Sequence, residues 1–161
     1  MAATYEPIAT TTLSSTASDV SFTSISGSYT DLVLIATIKA TSTFNVRMQF
    51  NSDTGSNYSF TYVLGDGSGT ESGRSSNAVS LDTGGVNTDK FGVLTYSIQN
   101  YSNSTTYKTV VNRSSEASKF TAAYVGLWRS TSAITTIKLF PTTSTFASGS
   151  TFTLYGIKAA V

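Results

Sequence analysis

The feature that most constrains the fold is the segment 119–129, Lys-Phe-Thr-Ala-Ala-Tyr-Val-Gly-Leu-Trp-Arg, which reads as a single strand. Tyr124 and Trp128 fall on one face of this predicted strand, and Val125 and Leu127 fall on the other. A strand with two largely apolar faces is typical of a sheet that is covered on both sides. The segment therefore predicts a central strand of a β-sandwich, with protein packed against both of its faces.

Apolar and polar residues alternate along the rest of the chain as well, and this period predicts about ten strands with turn signals between them. Residues 5–13 are predicted as an opening edge strand, residues 31–40 as a central strand, and residues 91–101 and 106–113 as a hairpin. No stretch has the period of an amphipathic helix. The pattern predicts an all-β fold in which residues 1–161 form a single-domain antiparallel β-sandwich, jelly-roll-like in type.

The charge balance and the missing residue types exclude several classes of function. Ten basic and nine acidic residues give a net charge of +1, which provides no electrostatic attraction to nucleic acid or to an anionic membrane. The chain has no cysteine and no histidine, so thiol chemistry and the usual zinc ligands have no basis. We therefore expect no enzymatic activity, no catalytic, cofactor-binding or metal-binding residues, and neither a nucleic-acid nor a membrane partner.

Lysines and carboxylates are the remaining candidates for catalysis. Lys39 and Lys138 lie on predicted strands, where a solvent-facing lysine is the common case. Glycoside hydrolysis would need two acids facing each other across a groove, and nothing marks any two acids as a pair. Most of the acids are in predicted turns, where Asp hydrogen-bonds the backbone. The acidic residues are Glu6, Asp19, Asp31, Asp53, Asp66, Glu71, Asp82, Asp89 and Glu116.

Two polar segments, residues 65–77 and 82–90, are predicted as loops because they are rich in glycine and small polar residues. Either loop could bind a glycan, or could bind calcium through its carboxylate oxygens. The acids concerned are Asp66 and Glu71 in the first loop and Asp82 and Asp89 in the second. Neither loop has the ligand spacing of an EF-hand, so a solvated loop without a ligand is the competing interpretation.

The aromatic residues admit three interpretations. Tyr and Trp in a small β protein are commonly core residues whose polar tips reach the rim, but they also suit a sugar-stacking surface or a subunit interface. The core is the interpretation that we favour. The residues are Tyr58, Tyr62, Tyr96, Tyr101, Tyr107, Tyr124, Trp128 and Tyr155.

Six segments, taken together and in order, resemble segments of one protein family. They are residues 22–34 (FTSISGSYTDLVL), 51–59 (NSDTGSNYS), 98–101 (IQNY), 106–110 (TYKTV), 127–135 (LWRSTSAIT) and 150–157 (STFTLYGI). The family is that of small virion structural proteins of tailed bacteriophages, including phages of cyanobacteria. This resemblance covers nearly the whole chain, and the family has no catalytic residues to transfer.

The resemblance implies a β-sandwich that works by being displayed or by joining other subunits. We expect a decoration (cement) protein that is made in the host cytoplasm and binds the major capsid protein on the outer surface of the capsid. Such a role depends on buried interface area and on many copies. We further expect a homotrimer or homodimer, with residues 1–18 as an extended N-terminal arm that reaches a partner.

Other classes of function give different expectations. The main alternative is a tail-fibre or tail-associated receptor- or carbohydrate-binding module, which would bind a surface glycan with loops 65–77 and 82–90. A polysaccharide depolymerase is a third possibility, and the absence of histidine and of a paired-acid pattern speaks against it.

Overall fold

The computed structural model describes residues 4–88 and 90–158, and within these residues it contains twelve β-strands and no helix. The strands are β1 (Tyr5–Thr12), β2 (Val20–Phe22), β3 (Asp31–Ile38), β4 (Phe44–Phe50), β5 (Tyr58–Gly65), β6 (Thr70–Ala78), β7 (Leu81–Val86), β8 (Gly92–Gln99), β9 (Lys108–Glu116), β10 (Phe120–Trp128), β11 (Ile137–Pro141) and β12 (Thr151–Ile157). Since no helix is present there, this part of the chain contains none that could cross a lipid bilayer.

These strands form two antiparallel sheets that pack face to face. The large sheet has the order β1-β12-β3-β8-β9-β10-β5-β6, and the small sheet has the order β2-β11-β4-β7. A hydrophobic core lies between them and takes the inward side chains of both sheets. The predicted all-β antiparallel sandwich is therefore confirmed, as are the interior position of β3 and the pairing of β8 with β9.

The prediction that the segment 119–129 is covered on both faces is wrong. Its strand, β10, does lie inside the large sheet, and its Tyr124 and Trp128 are buried against the small sheet. On the opposite face, however, Val125 is 46% exposed. The reason is that the small sheet packs against one face of the large sheet only, so the second apolar face of β10 is open to solvent.

Two segments that were predicted as loops are largely strands. Most of 65–77 is the edge strand β6, paired with β5, and the first part of 82–90 belongs to β7, paired with β4. Residues 79–80 form the bend that joins β6 to β7, and Asp89 lies outside the described residues. Neither segment has a regular alternation of apolar and polar residues, so the sequence pattern did not predict a strand. Backbone hydrogen bonds to a neighbouring strand hold each of them in its sheet.

Most of the N-terminal arm predicted over residues 1–18 pairs within the sandwich. Strand β1 pairs with β12 along the edge of the large sheet, which confirms the predicted edge strand. Farther on, Ala17 forms a bridge with Phe146. Because these backbone groups bond within the chain, residues 5–12 and Ala17 do not extend towards a partner; residues 1–3 lie outside the described residues.

Polar side chains of β9 hold β7 against the large sheet. Asn112 Nδ2 donates a hydrogen bond to Thr83 O over 2.7 Å, and Glu116 Oε2 accepts one from Asn87 N over 3.1 Å. Asn112 and Glu116 are both buried. Strand β7 is the edge of the small sheet, so its outer backbone groups would otherwise lack partners in the interior. These bonds place β7 at a fixed position across the inner face of the large sheet.

The only tryptophan is fixed by a carboxylate at one end of the sandwich. Trp128 Nε1 donates to Asp53 Oδ2 over 2.7 Å, and Asp53 also accepts hydrogen bonds from Asn57 and from Gly55 N. Burial alone would raise the pKa of Asp53, but these hydrogen bonds favour the carboxylate and together lower the pKa below its ordinary value of 3.8. The ionised form of Asp53 therefore stabilises the fold.

We expect Asp53→Asn to destabilise the protein by about 1–2 kcal/mol at pH 7, because bonds to a charged acceptor become bonds to a neutral one. A carboxylate with a lowered folded-state pKa contributes stability above its unfolded pKa and loses it as pH falls through the folded value. The difference between wild type and variant should therefore shrink as the pH drops below about 4. Urea unfolding, followed by Trp128 fluorescence at pH 7 and pH 3, measures the difference in unfolding free energy between wild type and variant. An equal difference at both pH values would contradict the prediction.

Candidate functional site

The outer face, meaning the outward side chains of the large sheet, is broad and nearly uncharged. Among its paired strand positions the charged residues are Asp31, Arg74 and Arg113. One row across its centre reads Val33, Ser97, Val111, Val125 and Thr61, and the next reads Ile35, Thr95, Arg113, Ala123 and Val63. Eight strands of about eight residues give a face of roughly 900–1,000 Å². That area is similar to the ~800 Å² that each partner buries in a standard protein interface.

The edges of the large sheet are less suited to pairing with another chain. Edge strand β1 contains Pro7, and its register shifts between Pro7 and Ala9. Edge strand β6 carries Glu71 and Arg74. Proline, bulges and charges on edge strands are the usual features that prevent edge-to-edge pairing. The outer face, and not an edge, is therefore the part of the large sheet that suits a partner.

A cleft opens on the other side of the large sheet, where the two sheets differ in width. Strand β7 ends the small sheet above β9 and β10, so the inner side of β5 and β6 extends past it. The resulting space has a volume of about 290 Å³. Its lining includes Asn45, Tyr62, Glu71, Asp82, Asn87 and Tyr124.

Two stacked tyrosines form part of the cleft. The rings of Tyr62 and Tyr124 are 5.3 Å apart between centroids, with an interplanar angle of 25°. Tyr124 is buried, whereas Tyr62 is half-buried and lies over Gly73, where an added Cβ would come within 2.8 Å of the ring. Tyr62 Oη donates to Glu71 Oε1, and this bond together with burial raises the pKa of Tyr62. The Tyr62 ring is thus held in place, with part of its surface exposed.

The opposite wall of the cleft is built around the buried carboxylate of Asp82. Its Oδ2 lies 3.3 Å from Arg47 Nη2 and accepts a hydrogen bond from Asn45 Nδ2 over 3.1 Å, while its Oδ1 accepts one from Gly84 N over 3.2 Å. Asn87 is fixed nearby, since its Oδ1 accepts a bond from Thr43 Oγ1 over 2.8 Å. Within residues 4–88 and 90–158, no hydrogen bond uses Asn45 Oδ1.

The predicted loops contribute to this cleft, although in a different form. Segments 65–77 and 82–90 supply Glu71 to one wall and Asp82 to the other. Asp66 instead accepts bonds from the backbone of its own turn, and these bonds lower its pKa. The described residues contain no group of three or more acids that could hold a metal ion.

The other candidate residues are dispersed. Lys39 is exposed, and Lys138 Nζ lies 3.9 Å from Asp19. The buried lysine is Lys108, which the sequence reading overlooked: its ammonium donates to Thr106 O over 2.7 Å and to a second carbonyl group, and burial lowers its pKa. The sequence could have indicated that Lys108 is buried, because it lies two residues before Val110 and therefore on the same inward face of β9.

Most of the predicted aromatic residues are in the core, as the favoured interpretation had it. The buried ones are Tyr58, Tyr96, Tyr101, Tyr124 and Trp128, whereas Tyr62 and Tyr155 are half-buried and Tyr107 is exposed. Burial raises the pKa of Tyr58 to about 12, although its hydrogen bond with the Phe50 backbone acts in the opposite direction. Of these tyrosines, Tyr62 combines partial exposure with a place in the cleft, which the half-buried Phe120 also lines.

No protein-family model matches this chain, and no curated protein sequence is similar to it. Its fold is similar to part of the crystal structure of exo-inulinase from Aspergillus awamori, with a TM-score of 0.52 and 13% sequence identity. The similarity covers 95% of this chain and 29% of the exo-inulinase chain. At this identity the comparison shows a shared β-sandwich fold and nothing about activity.

Proposed function

We propose that the protein is a non-enzymatic structural subunit of a bacteriophage virion, a decoration protein that attaches to the outer surface of the capsid through its outer face. The observation that carries the proposal is this face, which is rich in Val and Thr and nearly uncharged over roughly 900–1,000 Å². The resemblance of six segments, in order, to small virion structural proteins is the reason for proposing the major capsid protein as the partner.

The chemistry of the face fits attachment to a protein shell. Val63, Val111 and Val125 are each about half-exposed, so covering them would remove apolar surface from water, and Arg113 is the one charged residue in the two central rows. The neighbouring threonines and serines can satisfy hydrogen bonds at the rim of such a contact. A weak contact repeated over many copies is sufficient to reinforce a shell. A homotrimer or homodimer would add further contacts for each attached unit.

We expect the double substitution Val63→Lys and Val111→Lys to weaken virion attachment by at least about 100-fold, because two ammonium groups would have to be desolvated in the contact. Both side chains point into solvent, so the free protein should keep its melting temperature within a few degrees. The matched control is Val79→Lys, since Val79 is also exposed but lies in the bend between β6 and β7. Co-sedimentation of each purified variant with virions that lack the protein measures attachment.

The copy number in purified virions, measured by quantitative mass spectrometry, tests the location. A number of the same order as the major capsid protein is expected for a decoration protein. A small number that fits a threefold or sixfold device would instead place the protein in the tail or in a tail fibre. Its absence from virions, or equal attachment by the double variant and Val79→Lys, would overturn the proposal.

A further inference from the structure

We infer that the cleft beside β7 is a binding site for a neutral saccharide. The inference does not rest on the proposed attachment to a capsid, because the cleft and the outer face lie on opposite sides of the large sheet. Tyr62 and Glu71 point inward, whereas Val63 points outward. A molecule attached by its outer face would therefore present the cleft to the surroundings.

The first argument is that the cleft combines an apolar floor with polar walls. The floor is formed by Leu64, Val86, Phe120 and the stacked pair of tyrosines, while amides and carboxylates stand on its sides. At about 290 Å³ it is near the lower end of ligand pockets, which suits one sugar ring. A saccharide has this same division, with C–H groups on the faces of its ring and hydroxyl groups around the edge.

The second argument is that the groups are already fixed in the absence of a ligand. Tyr62 is held between Gly73, Tyr124 and Glu71, and the Asp82 carboxylate is held by Arg47, Asn45 and Gly84 N. Side chains that need no ordering on binding lose little conformational entropy. The partly exposed Tyr62 ring then offers a stacking surface, and Asn45 Oδ1 offers an acceptor for a sugar hydroxyl group.

The third argument is electrostatic and selects a neutral ligand. The cleft carries the carboxylates of Glu71 and Asp82 and, behind Asp82, the single guanidinium of Arg47. The excess of negative charge repels phosphate, sulfate and sialic acid groups. Both carboxylates also have partners already, Tyr62 Oη for Glu71 and Arg47 with Asn45 for Asp82, so neither is an unpaired anion that needs a cation. Hydroxyl groups can still bond to the remaining lone pairs of these oxygens.

The test begins with a printed array of neutral, sialylated and sulfated oligosaccharides, probed with the purified wild-type chain. Binding to one or more neutral glycans is expected. Binding that is confined to sialylated or sulfated glycans, or binding to no neutral glycan, would overturn the inference. An NMR titration with glucose, galactose, mannose and N-acetylglucosamine provides a second measurement, in which the ring signals of Tyr62 and the side-chain amide of Asn45 should shift for at least one sugar.

Variants then locate the site. Tyr62→Ala and Asn45→Ala should each weaken binding of the best neutral glycan by at least about ten-fold, the loss of one good contact. The matched control is Tyr107→Ala, since Tyr107 is 55% exposed and lies away from the cleft, and it should bind as the wild type does. Melting temperatures verify that each variant is folded. Unchanged binding by a folded Tyr62→Ala variant would show that the glycan binds elsewhere, and would overturn the inference.

Discussion

Replacing Gly84 with alanine should destabilise the protein by about 3–5 kcal/mol, which is a large part of the stability of an ordinary domain. Gly84 has φ +111°, a backbone conformation that costs an L-residue about 1–3 kcal/mol. An added Cβ would also overlap the Cβ and Oγ of Ser114 on β9. The residue lies where β7 crosses the large sheet at the closest approach, so neither strand can move away without breaking the bonds between them.

Two other glycines separate the cost of the positive φ from the cost of the overlap with Ser114. Gly69→Ala adds a Cβ that meets nothing within 4 Å, and Gly67→Ala adds one in open space at φ +85°. We expect almost no change for Gly69→Ala and about 1–2 kcal/mol for Gly67→Ala. Adding Ser114→Gly to Gly84→Ala should recover part of the loss, because it removes the clashing atoms. Urea unfolding measures all four, and a Gly84→Ala variant as stable as Gly69→Ala would refute the account of β7 packing.

Replacing Asn51 with alanine should cost about 3–4 kcal/mol, because its side chain joins the end of β4 to the chain that follows β10. Asn51 Nδ2 donates to Ala133 O over 2.7 Å, and its Oδ1 accepts from Thr135 N over 2.9 Å and Thr136 N over 3.0 Å. Each of these bonds contributes about 1 kcal/mol, and their loss leaves backbone groups without partners. The residue also has φ +50°, which asparagine tolerates better than alanine.

Asn100 provides the matched control for this prediction. It has the same φ of +50°, but its side chain forms no hydrogen bond among the described residues. Asn100→Ala should therefore lower the free energy of unfolding by only about 1 kcal/mol, the cost of placing alanine instead of asparagine at a positive φ. The difference between the two variants, obtained from urea unfolding, isolates the contribution of the side-chain bonds. Equal losses would mean that the side-chain bonds of Asn51 contribute nothing to stability.

These two positions explain how a chain with few charges still fixes its sheets in one arrangement. The core supplies most of the burial, but apolar contacts alone allow two sheets to slide over each other. The buried polar groups of β9 and the bonds of Asn51 require particular partners, since an unpaired polar group in the interior is costly. The position of β7, and with it the Asp82 wall of the cleft, depends on such partners.

Local patterns of apolar and polar residues predict the fold class and most of the strands. Alternation along β3 and β8 is a local property of the chain, and one buried face per strand is enough to produce it. The core assignment of Tyr58, Tyr96 and Trp128 was predictable for the same reason. Strand β6 escaped prediction because Thr70–Ala78 has no large apolar side chain, and its hydrogen bonds to β5 are invisible in the sequence.

Which surfaces are open and which residues meet depends on packing between segments that are far apart in the chain. The alternation of β10 shows two apolar faces, but the single small sheet covers only one of them, so Val125 belongs to an outer face and not to a core. The cleft depends on the difference in width between the sheets, which brings Tyr62 and Asp82 together from different strands. Contacts between the two sheets depend on packing and polar partners that are far apart in the chain, so the alternation of apolar and polar residues within one strand cannot predict them.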